Sequence, residues 1–219
     1  MRIALIEEEQ MDVTVASVDR LKRADCYRLL SACFCEPEKE MFEEEDVLNN
    51  LTRLLNDVCP DAAACSVEMA DEFRKTPADS LVSEYAALFI GPFQLRAPPY
   101  GSVYLGNSRM VMDDSTMETL QFYREAGLHH GMKEPPDHIA IELEFMHFLI
   151  SEEVAADLSD DHEAALRLRS LQNRFLRELL GRWVSHFCSS VIEWAEIEYF
   201  RALAGCLDRF LMHEVRTLD

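Results

Sequence analysis

The chain has 219 residues, with 21 basic against 41 acidic side chains and a formal net charge of −20, and at about 150 residues per domain it is long enough for one good-sized domain. With 48% of its residues apolar, it can bury a core large enough to offset chain entropy, which excludes wholesale disorder. The acidic excess argues against nucleic acid as a partner, because binding a polyanion needs a basic surface, and favours a cationic peptide or protein segment.

Apolar residues recur three and four apart almost throughout, and only seven glycines with few alternating runs argue against a sheet. The expected fold is all-α: a single domain over 1–219 with a flexible start at 1–14, built as a bundle of about eight to ten helices. The first helix follows Ser17 as cap and carries Val18, Leu21, Ala24, Leu29 and Cys33 before Pro37 stops it. A second runs from Met41 to Val58 and ends near Pro60. A third spans Ala62 to Phe73, and Pro77 opens a fourth with Leu81, Tyr85, Leu88 and Phe89 up to Gly91, the expected asymmetry of Pro at a start and Gly at a stop. From Gly91 to Asp114 the helical period is lost in a stretch rich in proline, glycine and aromatic residues, which predicts an ordered loop packed on the bundle. Ser115-Thr-Met-Glu118 has the pattern of a capping box for a helix closing at Gly127. After a connection from Leu128 to Pro136, which would serve as a hinge, a helix starts around Asp137 with Ile139, Leu143, Met146 and Ile150 on one face. The next carries Leu168, Leu171, Phe175, Leu179 and Trp183 toward Phe187 at heptad-like spacing, and a last helix is expected over Val191 to Val215.

Seven cysteines without repeated spacing suggest neither a disulfide framework nor a zinc module, and read as reduced core thiols. Met1 to Gln10 lacks the positive start and long apolar run of a secretory signal, and nothing later approaches the roughly 18 apolar residues of a membrane span. A cytoplasmic protein without membrane insertion is expected.

The sharpest catalytic pattern is Glu144-Phe-Met-His147, since Glu-x-x-His puts a carboxylate and an imidazole on one helical face, as di-iron bundles require. No second such motif occurs, so a metal site there stands as the alternative to an ordinary exposed pair. Cys33-Phe-Cys35 points its thiols to different helical faces, and His129-His130 carries no metal-ligand pattern. Nucleophile elbows and phosphate-binding glycine loops are absent from the sequence. Arg167, Arg169, Arg174, Arg177 and Arg182 read as a solvated helix face with an Arg174–Glu178 pair. What is left is a recognition surface: Tyr85, Leu88 and Phe89 at helical spacing, followed by Phe93, Pro98, Pro99, Tyr100 and Tyr104. The helical trio alone reads equally well as core, whereas prolines interleaved with aromatics offer the rigid, amphipathic face that peptide binding needs.

Glu84-Tyr-Ala-Ala-Leu-Phe-Ile-Gly-Pro-Phe93, then Pro98-Pro-Tyr-Gly-Ser-Val-Tyr104, then Glu134-Pro-Pro-Asp-His-Ile139 with the Glu-Leu-Glu-Phe run from Glu142 together resemble the TorD/DmsD family of redox-enzyme maturation chaperones. The resemblance implies an all-helical cytoplasmic chaperone, without enzyme activity or cofactor of its own, that holds the twin-arginine signal peptide of a molybdopterin oxidoreductase precursor until its cofactor is inserted. Its partners would be that signal peptide and the catalytic subunit, with homodimers formed by helix exchange. Carried onto this chain, Tyr85, Leu88, Phe89, Phe93, Pro99 and Tyr100 would line the groove, with Asp137 and His138 at its polar end. The family often has tryptophan where this chain has Tyr85, Phe93 and Tyr100. Asp137 and Glu134 offer carboxylates to arginine, although Asp137 also suits a helix N-cap. Two alternatives stay open: a metalloprotein using Glu144 and His147, and a relative serving a non-exported, nitrate-reductase-type enzyme.

Overall fold

A computed structural model describes residues 2–91, 96–106, 111, 114–129, 131 and 133–218, with side chains from Val15 onward. Eleven α-helical segments make up this part of the chain: α1 (Arg2–Cys33), α2 (Lys39–Glu44), α3 (Val47–Val58), α4 (Pro60–Lys75), α5 (Ala78–Tyr85), α6 (Gly101–Leu105), α7 (Asp114–Glu125), α8 (Ile139–Leu158), α9 (His162–Phe175), α10 (Gly181–Trp194) and α11 (Glu198–Arg216). A π-helical turn, Ala86–Ile90, prolongs α5, and a second, Leu176–Leu180, fuses α9 to α10 without a break. The architecture is the expected all-α bundle.

Several boundaries differ from the sequence reading, each for a local reason. Ser17 is no cap: α1 is already helical from Arg2. The helix expected from Met41 to Val58 is divided at Asp46, whose φ of 51° lies in the left-handed region that Asp tolerates better than most residues. The stretch after Gly91 contains a one-turn helix, α6, and Ser115 lies inside α7, which starts at Asp114. The last helix is divided as well: Ala195 to Ile197 leave the helical path, and α11 begins at Glu198. The Glu84 carboxylate stabilises that break, accepting from the main-chain N–H groups of Glu196 and of Ile197, the latter at 3.0 Å.

The core centres on α10 and α11, where Trp183, Phe187, Tyr199, Phe200 and Phe210 are fully buried. Phe187 touches Phe34 of α1, Phe89 of the first π turn and Trp183, with ring centroids 5.5, 6.0 and 5.6 Å away. Gly181 is required beneath the second π turn, because a Cβ there would stand 2.5 Å from the Leu176 carbonyl oxygen. On the far side α1 runs along α8, and a charge network fixes their register. Arg20 and Arg169 both bond to Glu153, at 2.9 and 2.6 Å, while Gln172 links Glu153 (2.7 Å) to Arg23 (3.2 Å). Arg23 and Tyr27 then meet Glu214 at 2.5 and 2.8 Å. Arg169 is therefore not part of a merely solvated face. Arg174 reaches across to Glu125 at 2.8 Å as well as lying 3.9 Å from Glu178.

The proline-rich stretch and the start of α8 hold each other. Ile139 N–H donates to the Pro99 carbonyl (2.8 Å) and Gly101 N–H to the Asp137 carbonyl (2.9 Å). Ser102 N–H donates to Asp137 Oδ2 at 2.8 Å, so the carboxylate caps α6. Behind them the fully buried Glu142 accepts from Trp183 Nε1–H at 3.0 Å, and the ring of Trp183 leaves no room for a Cβ at Gly101, which would sit 3.0 Å from Nε1. Burial holds the Glu142 carboxyl well above the usual carboxylate range; the Trp183 N–H opposes this and the nearby Asp137 reinforces it.

The neutral acid is thus the form that fits. Glu142 imposes no penalty below its unfolded-state pKa of about 4.3, and stability falls as pH rises from there toward its folded-state value. Glu142→Gln keeps an acceptor for Trp183 and has no proton to lose, so its stability relative to the native chain should rise between about pH 4.5 and pH 8 in urea unfolding. Glu142→Leu strands the indole N–H and should lower stability by about 1–3 kcal/mol throughout.

Candidate functional site

The end of α1, the first π turn and the start of α8 enclose an open groove of about 550 Å³. Its floor is apolar: Phe34 from α1, Tyr85 and Phe89 from α5 and the π turn, and Ile141 from α8. The floor rings are locked in place. Tyr85 lies edge-on to Phe89 with centroids 5.2 Å apart, and its hydroxyl donates to the Phe34 carbonyl at 3.2 Å. Burial raises the Tyr85 phenol above the usual tyrosine range. The π turn matters here because its wider coil puts Phe89 inward while leaving Ile90 58% exposed at the rim; such turns recur where a helix must re-aim side chains.

The rim is acidic. Glu36, Glu134 and Glu144 all line the groove and are all exposed. Glu134 accepts from the Tyr100 hydroxyl at 3.2 Å. Burial first, then the charge of Glu134, pushes the Tyr100 phenol up to about 12, so it stays a hydrogen-bond donor near neutral pH. Along α8 the groove meets His138, Ile141 and Glu144 at three-residue steps, a span of about 9 Å at 1.5 Å per residue. His138 is the N-cap of α8, with its ring nitrogen Nδ1 accepting from Ala140 N–H at 3.2 Å. Its ring stands edge-on to Tyr100, centroids 5.3 Å apart, and burial keeps it below the usual histidine range despite the adjacent Glu134 and Asp137.

Of the residues singled out from sequence, Tyr85, Phe89, Tyr100 and His138 converge on this groove. Leu88 is fully buried behind it, Pro99 is buried with its carbonyl engaged by Ile139, and Asp137 is 1% exposed with its carboxylate turned to α6. Phe93 lies outside the described residues. The carboxylates that a cation meets are therefore those of Glu36, Glu134 and Glu144. Sequence reasoning did not place Phe34, Cys35, Glu36, Ile90 or Ile141 here, because they come together only through the α1–α8 pairing. Glu144 had been noticed for another reason. Its presumed partner His147 contacts the Ala24 carbonyl at 3.1 Å, and among the described residues no group of three or more His, Cys, Asp or Glu could hold a metal ion. The cysteines are free, and five of the seven are buried, with Cys35 exposed beside the groove.

A family model described as nitrate reductase delta subunit matches residues 48–189, well over half of the chain and the whole groove beyond α1. The chain belongs to this family. Among its relatives, the chaperone protein TorD of Photobacterium profundum is 29% identical over 132 residues, covering 59% of this chain and 60% of that protein. TorD of Vibrio parahaemolyticus is 25% identical over 198 residues, 86% of this chain and 91% of the relative. The Tat proofreading chaperone DmsD of Salmonella typhimurium is 31% identical over 137 residues, 62% and 60%. The matched region thus spans about three fifths of the first and third of these relatives and nearly all of the second. A crystal structure assigned to a redox enzyme maturation protein of Archaeoglobus fulgidus superposes with a TM-score of 0.55 over 86% of this chain and 93% of that one, at 24% identity, and so shares the fold. The resemblance to the TorD/DmsD chaperones read from the motifs is borne out.

Since His138 caps α8 through its side chain, His138→Ala should cost about 1 kcal/mol of stability in urea unfolding, and His138→Ser, a good capping residue, should recover most of it.

Proposed function

We propose that this chain is a maturation chaperone whose groove receives the N-terminal signal segment of a molybdopterin oxidoreductase precursor, in the cytoplasm and without catalysing a step of its own. The observation that carries the reading is the pairing of an apolar aromatic floor with three rim carboxylates, Glu36, Glu134 and Glu144. A segment with adjacent arginines followed by an apolar stretch is complementary to both: guanidinium groups bond to carboxylates through charge-assisted hydrogen bonds, and the apolar stretch covers the rings. The net charge of −20 draws a cationic segment in from a distance in a salt-dependent way. Relatives named as chaperones support the class of activity, and free cysteines suit a reducing compartment. Among the described residues no helix is long and apolar enough to cross a membrane.

Calorimetric titration with synthetic twin-arginine signal peptides tests this. Saturable binding near one to one is expected, weakened at least tenfold when both arginines become alanine, the equivalent of about 1.4 kcal/mol. Binding indifferent to that replacement would favour the second reading suggested by the matched family, service to a non-exported nitrate-reductase-type enzyme; no binding by any such peptide would refute both. Tyr100→Ala should weaken binding by about 1–3 kcal/mol as an aromatic anchor. Replacing Glu134 and Glu144 together by glutamine should flatten the dependence of affinity on salt.

A further inference from the structure

The cap on α8 determines the protonation pattern of the groove histidine. Ala140 N–H donates to His138 Nδ1, so that nitrogen carries a lone pair, and the proton of the neutral ring is on Nε2. Burial favours this neutral form. Nε2 has no partner among the described residues, while the ring lines the groove, held edge-on by Tyr100. A fixed N–H donor therefore stands between the carboxylate acceptors Glu134 and Glu144, on a wall that otherwise offers Ala140 and Ile141.

We propose that His138 Nε2–H is a specificity-determining donor to a main-chain carbonyl of the occupant, which selects a peptide bound in extended conformation. This rests on the functional reading above and adds the shape of the bound segment to it. Carbonyls within a helix are already bonded to their own N–H groups, except over the last turn, whereas each carbonyl of an extended segment is free and has to find a donor once water is displaced. Arginine side chains cannot serve as the acceptor, since the guanidinium only donates. The carboxylates thus read the cationic side chains, and His138 reads the backbone between them.

The test combines one variant, one peptide series and one spectrum, using the full chain. His138→Ser keeps the cap but is too short to present the donor, and should bind a twin-arginine signal peptide about five- to tenfold more weakly than the native chain. In a series where one peptide bond at a time becomes an alkene, one position should weaken binding to the native chain by a similar factor and leave His138→Ser unaffected. Nitrogen-15 spectra of the histidine rings should show His138 protonated at Nε2 alone, with that proton shifted and slowed in exchange on binding. Native binding without any alkene position coupled to residue 138, a proton on Nδ1, or a helical bound peptide would each overturn this inference and leave the chaperone reading standing. Failure of the native chain to bind any of the peptides would remove both.

Discussion

A buried carboxyl and a buried indole hold the functional half of this molecule together. Glu142 accepts from Trp183 Nε1–H, Trp183 stacks on Tyr104 with centroids 5.7 Å apart, and Gly101 lies against the same ring. From this point the proline-rich stretch is tied to the start of α8 by the Pro99, Gly101 and Ser102 main-chain bonds. An orphaned indole or carboxyl in such a site costs more than the bond itself contributes, so the contact specifies one packing among many that a helical bundle of this composition allows. Tyr100 and His138 owe their positions on the groove to it.

The three motifs that mark the family in sequence are therefore mostly architecture, with a few exposed edges that do the recognising. Glu84 caps the chain at α11, Asp137 caps α6, His138 caps α8 and Leu88 fills the core. Around them Tyr85, Phe89 and Tyr100 present rings to the groove. Specific contacts there outweigh the long-range field once a ligand is bound, because screening at physiological salt reaches only about 8 Å; the acidic surface accelerates encounter and the rim carboxylates select.

The fold was legible in the sequence wherever apolar period and chain breakers agreed. Leu168, Leu171, Phe175, Leu179 and Trp183 form one buried face as their spacing predicts. Boundaries were lost where a tertiary contact overrode local preference: the division at Asp46 depends on a left-handed residue, and the one at Ala195–Ile197 depends on Glu84, 112 positions earlier in the chain. Half of the groove was legible too, because its aromatics cluster in sequence around the π turn and the prolines. The remainder was not: Phe34 and Glu36 come from the end of α1 and Glu144 from the second turn of α8, and no local signal announces that these ends meet. Asp137 shows the converse error, for a carboxylate beside the prolines looks available in sequence and is in fact occupied by Ser102 N–H.

The central claim is that the groove between α1, the first π turn and α8 is where a precursor's N-terminal segment rests. Photo-crosslinking tests it most directly, with a signal peptide carrying a diazirine in its apolar stretch and the adducts located by mass spectrometry. The account predicts adducts on Phe89, Ile90, Tyr100 and Ile141, competed away by unlabelled peptide. Competable adducts confined to the charged cleft between Asp19, Asp57 and His213 on the other side of the molecule would contradict it.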